Sequence, residues 1–509
     1  MIACAHAAGA ILLSCRHSIF GHSLAITRHL IRAHGVASFT TGFAAVSDSP
    51  SSDFATLPLA PELLINLESL GYHAMTPIQA ESLPAILAGR DVIGQGQTGS
   101  GKTAAFGLGV LSRLETKAFR VQGLVLCPTR ELADQVAGEL RRLARGLSNV
   151  KVLTLCGGAP LKPQRDSLEH GAHVVVGTPG RIEEHLRKGS LALDALNTLV
   201  LDEADRMLDM GFQAAIEAIV GQAPTSRQTL LFSATYGPGI RPIAERMMRE
   251  PLNVEVASTH DDTSIRQHFY RVAGEDARVP ALERLLLDIR PESSVVFCNT
   301  KRETLQVADA LNAAGFSALA LNGDLEQPDR DRILAMFANK SVSILVATDV
   351  AARGLDIDAL DAVFNYQIAR ELEVHVHRIG RTGRAGGSGV ACTLVAESEY
   401  YRLDKLGDFL GEALACEPLP PLRGDARPFT PRMATLQLGA GKKQKVRPGD
   451  ILGALTGEGG IAGEQVGKIQ VTDRSAFVAV EREVVRAALD QLANGRIKGR
   501  SFRARRVTR

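Results

Sequence analysis

The chain has 509 residues, 45% hydrophobic and 22% charged, a composition that suits roughly three packed domains and excludes a disordered polymer. Seven cysteines, odd in number and without a CxxC pair, argue against a disulfide framework or zinc ribbon and for a reducing compartment. No apolar run approaches the ~18 residues of a membrane span, and the net charge of +2 conceals a basic tail: residues 434–509 hold 15 Lys and Arg against 7 Asp and Glu, which calls for a polyanionic partner.

Residues 1–52 read as a leader. It has no acid before Asp48 but carries Arg16, Arg28 and Arg32 and five of the 13 histidines. Two readings stay open: an Arg-rich, acid-poor transit peptide, or an upstream extension with the native start near Val46. The second is favoured, because the rest of the chain reads as bacterial.

Residues 53–256 alternate short β-branched runs, such as 123–127 (GLVLC), 173–177 (HVVVG) and 198–201 (TLVL), with longer amphipathic segments. This alternation predicts a parallel sheet with helices on both faces. Within it, residues 96–103 read GQTGSGKT. Gly96, Gly99 and Gly101 allow backbone N–H groups to converge on phosphate oxygens, Lys102 would reach the β- and γ-phosphates, and the Thr103 hydroxyl would ligate Mg²⁺. Gln97, Thr98 and Ser100 complete the cradle. Residues 199–205 read LVLDEAD, placing Asp202 at the carboxyl end of a buried strand, the edge at which parallel sheets bind ligands. Asp202 would hold Mg²⁺ and Glu203 would orient an attacking water. An acidic quartet alone is usually a solvated turn; with a complete phosphate cradle upstream, it implies nucleoside triphosphate hydrolysis.

A polar stretch, 257–264, leads to a second block, 265–416, with the same rhythm and strands expected near 295–298, 343–347 and 362–365. The two blocks read as an internal repeat. LVLCPTRELADQVAGEL (124–140) aligns without gaps on VVFCNTKRETLQVADAL (295–311), and VVVGTPGR (174–181) parallels ILVATDVA (344–351). The tail, 433–509, has a βαββαβ-like rhythm that suggests an RNA-recognition-motif-type domain. Its only aromatics are Phe477 and Phe502, so binding through basic residues and RNA shape is expected rather than base stacking. Lys442, Lys443, Lys445 and Arg447 form one basic cluster; Arg500, Arg503, Arg505 and Arg506 form another.

With these motifs in order, the chain resembles a DEAD-box ATP-dependent RNA helicase, and its tail and core are similar to the DbpA subfamily. The resemblance implies an α/β fold of two tandem RecA-like parallel-sheet domains followed by a small α+β RRM-like domain, with ATP and Mg²⁺ as cofactors. It assigns Tyr72 and Gln79 to adenine recognition and Asp356 to the nucleotide ribose. Pro128, Thr129, Arg130, Gly158, Thr178, Arg181, Gln327, Arg330 and Thr348 would contact the RNA backbone. Ser233, Thr235 and His377 would couple hydrolysis to RNA binding. Arg381 and Arg384 would act as arginine fingers from the second domain, so catalysis by Lys102, Asp202 and Glu203 would require domain closure. The resemblance further implies 23S ribosomal RNA and large-subunit precursors as partners, a role in 50S assembly, a bacterial cytoplasmic location, no membrane, and a monomer. A non-catalytic RNA-binding scaffold is the alternative, but it gives no reason to keep Lys102, Asp202, Glu203, Arg381 and Arg384 together.

Overall fold

The computed structural model describes residues 52–96, 99–234, 236, 239–256, 265–352, 360–383, 389–421 and 427–508. Residues 1–51 of the leader and Gln97, Thr98, Thr235, Asp356 and Arg384 lie outside the described residues. Free cysteines at 127, 156, 298 and 392 are buried in the two large cores, and no described helix is long and apolar enough to cross a membrane.

The first domain is built on strands β1 (Val92–Gln95), β2 (Gly123–Leu126), β3 (Val152–Leu155), β4 (Val174–Gly177), β5 (Thr198–Asp202), β6 (Gln228–Ser233) and β7 (Leu252–Glu255). The second uses β8 (Ile265–Val272), β9 (Ser294–Cys298), β10 (Ala318–Leu321), β11 (Ile344–Thr348), β12 (Ala362–Asn365), β13 (Gly389–Ala396) and β14 (Cys416–Glu417). Their orders are β3-β4-β2-β5-β6-β1-β7 and β10-β11-β9-β12-β13-β8-β14. Each strand of the second sheet thus stands where its counterpart seven strands earlier stands in the first. All pairings in both sheets are parallel.

The repeat read from the sequence is therefore a repeat of topology. Thr129 and Thr300, aligned there, both cap a helix: each hydroxyl accepts from a backbone N–H three residues on, that of Leu132 or Glu303. The central strands are buried along their whole length because helices cover both faces, which is why they read as apolar runs rather than alternating ones.

The tail is a four-stranded antiparallel sheet, β15 (Met433–Leu438), β16 (Val466–Val471), β17 (Ala476–Glu481) and β18 (Ala504–Arg506), in the order β16-β17-β15-β18. The helices Pro448–Thr456 and Val485–Asn494 complete a βαββαβ chain. Alternate residues Leu436, Leu438, Val478 and Val480 point into the tail's own core. The opposite face is covered by the second domain: Phe477 and Val507 pack against Ala335, Met336 and Val342. The Thr435 hydroxyl meets the Asn339 amide at 3.1 Å and the Ser341 hydroxyl at 2.7 Å. Phe502 packs on the tail core. Neither aromatic forms an open stacking platform.

Candidate active site

The two sequence strings meet at the carboxyl edge of the first sheet. Strands β5, β6 and β1 are neighbours, so Asp202 at the end of β5, Ser233 at the end of β6 and the turn after β1 share one edge. Gly96 donates its N–H to the Ser233 carbonyl at 3.1 Å. Gly101 has φ +95°, and a Cβ there would meet Gln79 Nε2 at 2.5 Å and Thr76 Oγ1 at 2.7 Å. Only glycine satisfies both the backbone conformation and the close approach. Lys102 opens the helix Lys102–Ser112, is 7% exposed, and donates to the carbonyl of Gly96. Thr103 follows it on the same helix.

Asp202 is 3% exposed. Burial and then the Glu203 charge push its carboxyl up to about 7, against the opposing pull of Lys102. A buried acid held in this way fits a bound cation. Among the described residues no group of three His, Cys, Asp or Glu could cage a metal. A magnesium ion at Asp202 and Thr103 would therefore complete its shell with phosphate and water oxygens, the usual arrangement for that ion. Glu203 takes the left-handed conformation, φ +52°, which costs a non-glycine residue roughly 1–2 kcal/mol. Strain of this kind is concentrated at functional sites.

Asp205 and Ser233 join the strand ends: the Asp205 N–H lies 3.4 Å from Ser233 Oγ. Burial works against the Asp205 charge, yet Arg206, the Ser233 hydroxyl and His377 hold its carboxyl below the usual range. His377 lies at the end of the helix Leu372–Ile379 of the second domain, so the two domains meet at the acidic quartet. Arg381 follows that helix, and its carbonyl accepts from Leu360 N–H at 3.1 Å. Arg378, in the same string, turns inward: it is 1% exposed and grips Asp349 through two nitrogens, at 2.6 and 2.8 Å. It also donates to Asn299 at 2.9 Å and lies over the Phe297 ring. Nothing in the local sequence separates this anchoring arginine from Arg381. His375 stacks on Phe269 at 6.0 Å, and burial, then Arg378, pulls its imidazole down to about 3.

The residues expected to read adenine are already engaged within the protein. Gln79 receives the Thr76 N–H at 2.9 Å and donates to the Gly101 carbonyl at 3.0 Å, tying its helix to the cradle. Tyr72 packs edge-on against Phe54 and donates its hydroxyl to Glu139 at 2.8 Å.

The residues of the first domain expected to contact RNA occupy three adjacent turns, because β3, β4 and β2 are neighbours. Pro128, Thr129 and Arg130 follow β2, Gly158 follows β3, and Thr178 and Arg181 follow β4. Two arginines expected on RNA are instead bonded within the protein. Arg181 donates to the Ala159 carbonyl at 2.9 Å and to Gln164 at 2.8 Å, and pairs with Glu184 at 3.1 Å. It therefore orders the turn that carries Gly158. Arg330 pairs with Glu131 of the first domain at 2.5 Å and donates to the Ala351 carbonyl at 2.6 Å, clasping the domains together. Gln327 donates to Asp331 at 2.7 Å, and the Thr348 hydroxyl caps Ala351 N–H at 3.4 Å. Lys442, Lys443, Lys445, Arg500 and Arg503 are exposed on the tail.

The match to known proteins follows this anatomy. Residues 76–242 match the DEAD/DEAH box helicase model, 277–386 the helicase conserved C-terminal domain, and 435–506 the DbpA RNA binding domain. The chain is 55% identical over 453 residues to the ATP-dependent RNA helicase DbpA of Escherichia coli (strain K12), covering 89% of this chain and 99% of that protein. The chain belongs to the DEAD-box ATP-dependent RNA helicases. It is also 47% identical over 350 residues to the DEAD-box ATP-dependent RNA helicase CshA of Geobacillus kaustophilus (strain HTA426), covering 69% of this chain and 75% of that one. Among solved structures it resembles S. cerevisiae Dbp5 bound to RNA and ADP BeF3, with TM-score 0.66 and 29% identity over 73% of this chain and 96% of that one.

In this DEAD-box helicase the GQTGSGKT string stands on one of two equivalent sheets. In the second domain the residue that opens the helix after β8, the counterpart of Lys102 after β1, is Arg278. Arg278 is fully buried and bonds Glu399 at 2.5 Å and Glu275 at 2.9 Å. Carboxylates of the protein itself neutralise the cation at the position equivalent to Lys102. The sequence repeat did not reveal this substitution, because the gapless alignment does not extend to Arg278.

Proposed function

We propose that this helicase is an RNA-dependent ATPase that opens short duplexes in 23S ribosomal RNA precursors during assembly of the large (50S) subunit. The single observation that supports the catalytic part is the contact between the two domains, where the His377 charge acts on Asp205 and Glu131 pairs with Arg330. Each pair joins an ATP or RNA string of one domain to one of the other. Lys102 would bind the β- and γ-phosphates, Glu203 would hold the attacking water and accept its proton, and Arg381 and Arg384 would reach the γ-phosphate from the second domain. A magnesium ion held by Asp202 and Thr103 would screen the phosphate charge. Ser233, Thr235 and His377 would pass the state of this cleft to the RNA turns, while Tyr72, Gln79 and Asp356 would select adenosine. RNA spanning Pro128–Arg130, Gly158 and Thr178 on one domain and Gln327 and Thr348 on the other would favour the closed arrangement. Hydrolysis should therefore depend on RNA.

The DbpA-type tail supports the ribosomal target. Its Lys442, Lys443, Lys445, Arg500 and Arg503 offer phosphate contacts on faces that the second domain leaves open. We take the functional units to be 53–256, 265–416 and 433–509, in a monomeric protein of the bacterial cytoplasm.

The test compares ATPase stimulation by a 23S fragment and by unrelated structured RNA at one salt concentration. Deleting 434–509 would uncover Met336 and Val342, so glutamine replacements of Lys442, Lys443 and Lys445 in the full chain are cleaner. The 23S fragment is expected to stimulate the parent more strongly, and the variant should lose that preference while keeping the response to unrelated RNA. Equal stimulation of the parent by both RNAs would leave a general RNA remodeller.

A further inference from the structure

A second concentration of positive charge lies at the other end of the first sheet from the ATP edge. Residues 140–165 contain Arg141, Arg142, Arg145, Lys151, Lys162 and Arg165 and no acid. Where the helix Arg130–Leu143 ends and β3 begins, Phe119, Arg141, Arg145, Asn149 and Lys151 line a cleft of about 410 Å³. Phe119 is 42% exposed, and its ring is braced by His173 at 4.7 Å between centroids. Arg141 is held in place by the Val152 carbonyl at 3.0 Å and Thr154 Oγ1 at 3.1 Å, and Lys151 by the Ser167 carbonyl at 3.1 Å. Among the described residues no carboxylate forms an ion pair with Arg141, Arg145 or Lys151. The charge of Asp134 does act on Arg141, so Arg145 and Lys151 carry most of the positive field open to an outside anion, unlike Arg181, Arg330 or Arg378.

The position of the cleft selects its ligand. The helix Arg130–Leu143 starts at the RNA turn and ends at the cleft; its 14 residues span about 21 Å at 1.5 Å each. Strand β3 lies at the edge of the sheet and runs the same way back, from Lys151 to the Gly157–Gly158 turn. A strand of RNA leaving that turn would cover the distance in roughly six stacked nucleotides at about 3.4 Å each. Cations clustered at the end of such a path engage a phosphate backbone, and a braced, exposed aromatic ring offers a base-stacking surface.

We propose that the Phe119–Arg145–Lys151 cleft is a second RNA-binding site on the first domain, engaging the single strand that flanks the segment held at the Pro128–Arg130, Gly158 and Thr178 turns. The proposal rests on those turns binding RNA. It is tested on the full chain with a nonhydrolysable ATP analogue, by fluorescence anisotropy. Two single-stranded RNAs are compared: one long enough only for the turns, and one extended by about ten nucleotides to exceed the roughly six-nucleotide span.

For an R145Q/K151Q variant, the longer RNA is expected to lose about tenfold or more in affinity, and the shorter one less than twofold. The salt slope for the longer RNA should flatten by about 1.4, at roughly 0.7 per lost cation. F119L should weaken the longer RNA alone, and K151R should restore most of its binding. Equal loss for both RNAs, or none for either, would overturn the site. Failure of the parent to bind the shorter RNA would instead refute the reading of the turns.

Discussion

The repeated topology predicts that Arg278 is structural where Lys102 is proposed to bind phosphate. Arg278 makes five hydrogen bonds: two to Glu275, one to Glu399 at 2.5 Å, and two to the carbonyls of Tyr366 and Leu394 at 2.7 and 3.1 Å. The Glu275 side chain is 62% exposed, so its share is that of a surface pair, about 0–1 kcal/mol. The Glu399 side chain is 10% exposed. Arg278→Met therefore strands a buried carboxylate and two buried carbonyls, and the expected loss is about 3–5 kcal/mol. The double variant Arg278→Met/Glu399→Leu removes the stranded charge and should recover part of that loss, because the Tyr366 and Leu394 carbonyls and the Ala396 N–H that Glu399 accepts stay without their partners. Urea unfolding followed by far-UV circular dichroism measures both losses. Hydrogen exchange at the β8, β12 and β13 amides assigns them to the second domain. Binding of a fluorescent ATP analogue should be unchanged in both variants. A single-variant loss under about 1 kcal/mol, or a double variant as unstable as the single one, would refute the account. So would weakened ATP binding by a folded Arg278→Met protein.

Other outcomes are expected from the same geometry. Glu203→Gln should abolish ATP turnover while retaining ATP and RNA binding in equilibrium assays; undiminished turnover would remove Glu203 from its role. His375, with its pKa drawn down to about 3 in the fold against about 6.5 unfolded, is neutral when buried but protonates when the chain unfolds. Stability should therefore fall as pH drops below about 6.5, by about 2 kcal/mol at pH 5. His375→Phe should flatten that part of the urea-midpoint profile, and an unchanged slope would contradict the burial argument. Phe477→Ser should cost about 2 kcal/mol of docking between tail and second domain, seen as faster proteolysis just before Met433 with ATP binding intact. Glu131→Gln and Arg330→Gln should each weaken RNA-stimulated ATPase, with a coupling of about 0.5–3 kcal/mol in the double-mutant cycle. Strict additivity would show that the 2.5 Å pair does not join the domains in solution.

Much of this molecule was legible before any coordinates. Apolar runs bounded by turn residues marked the inner strands, the 124–140 and 295–311 strings marked the repeat, and the βαββαβ rhythm marked the tail. These are local signals, because side-chain periodicity and capping act within a few residues. The cradle and the acidic quartet were legible for the same reason: phosphate and metal chemistry demands particular groups at short, fixed spacing.

What the sequence could not assign was the partner of each charge. Arg181, Arg278, Arg330 and Arg378 are chemically indistinguishable along the chain from Arg145 and Arg381. Arg330 and Glu131 lie 199 residues apart, and Arg278 and Glu399 lie 121 apart. The face of the tail sheet that carries Phe477 became an interface only because Met336 and Val342 lie opposite it. By itself the sequence determined many of the inner strands, the repeat and the residue types of the GQTGSGKT and LVLDEAD strings. Only the tertiary structure decided which cations are neutralised inside the protein and which stay open at its surface, because an ion pair is fixed by distance in space and long-range contacts carry no local pattern.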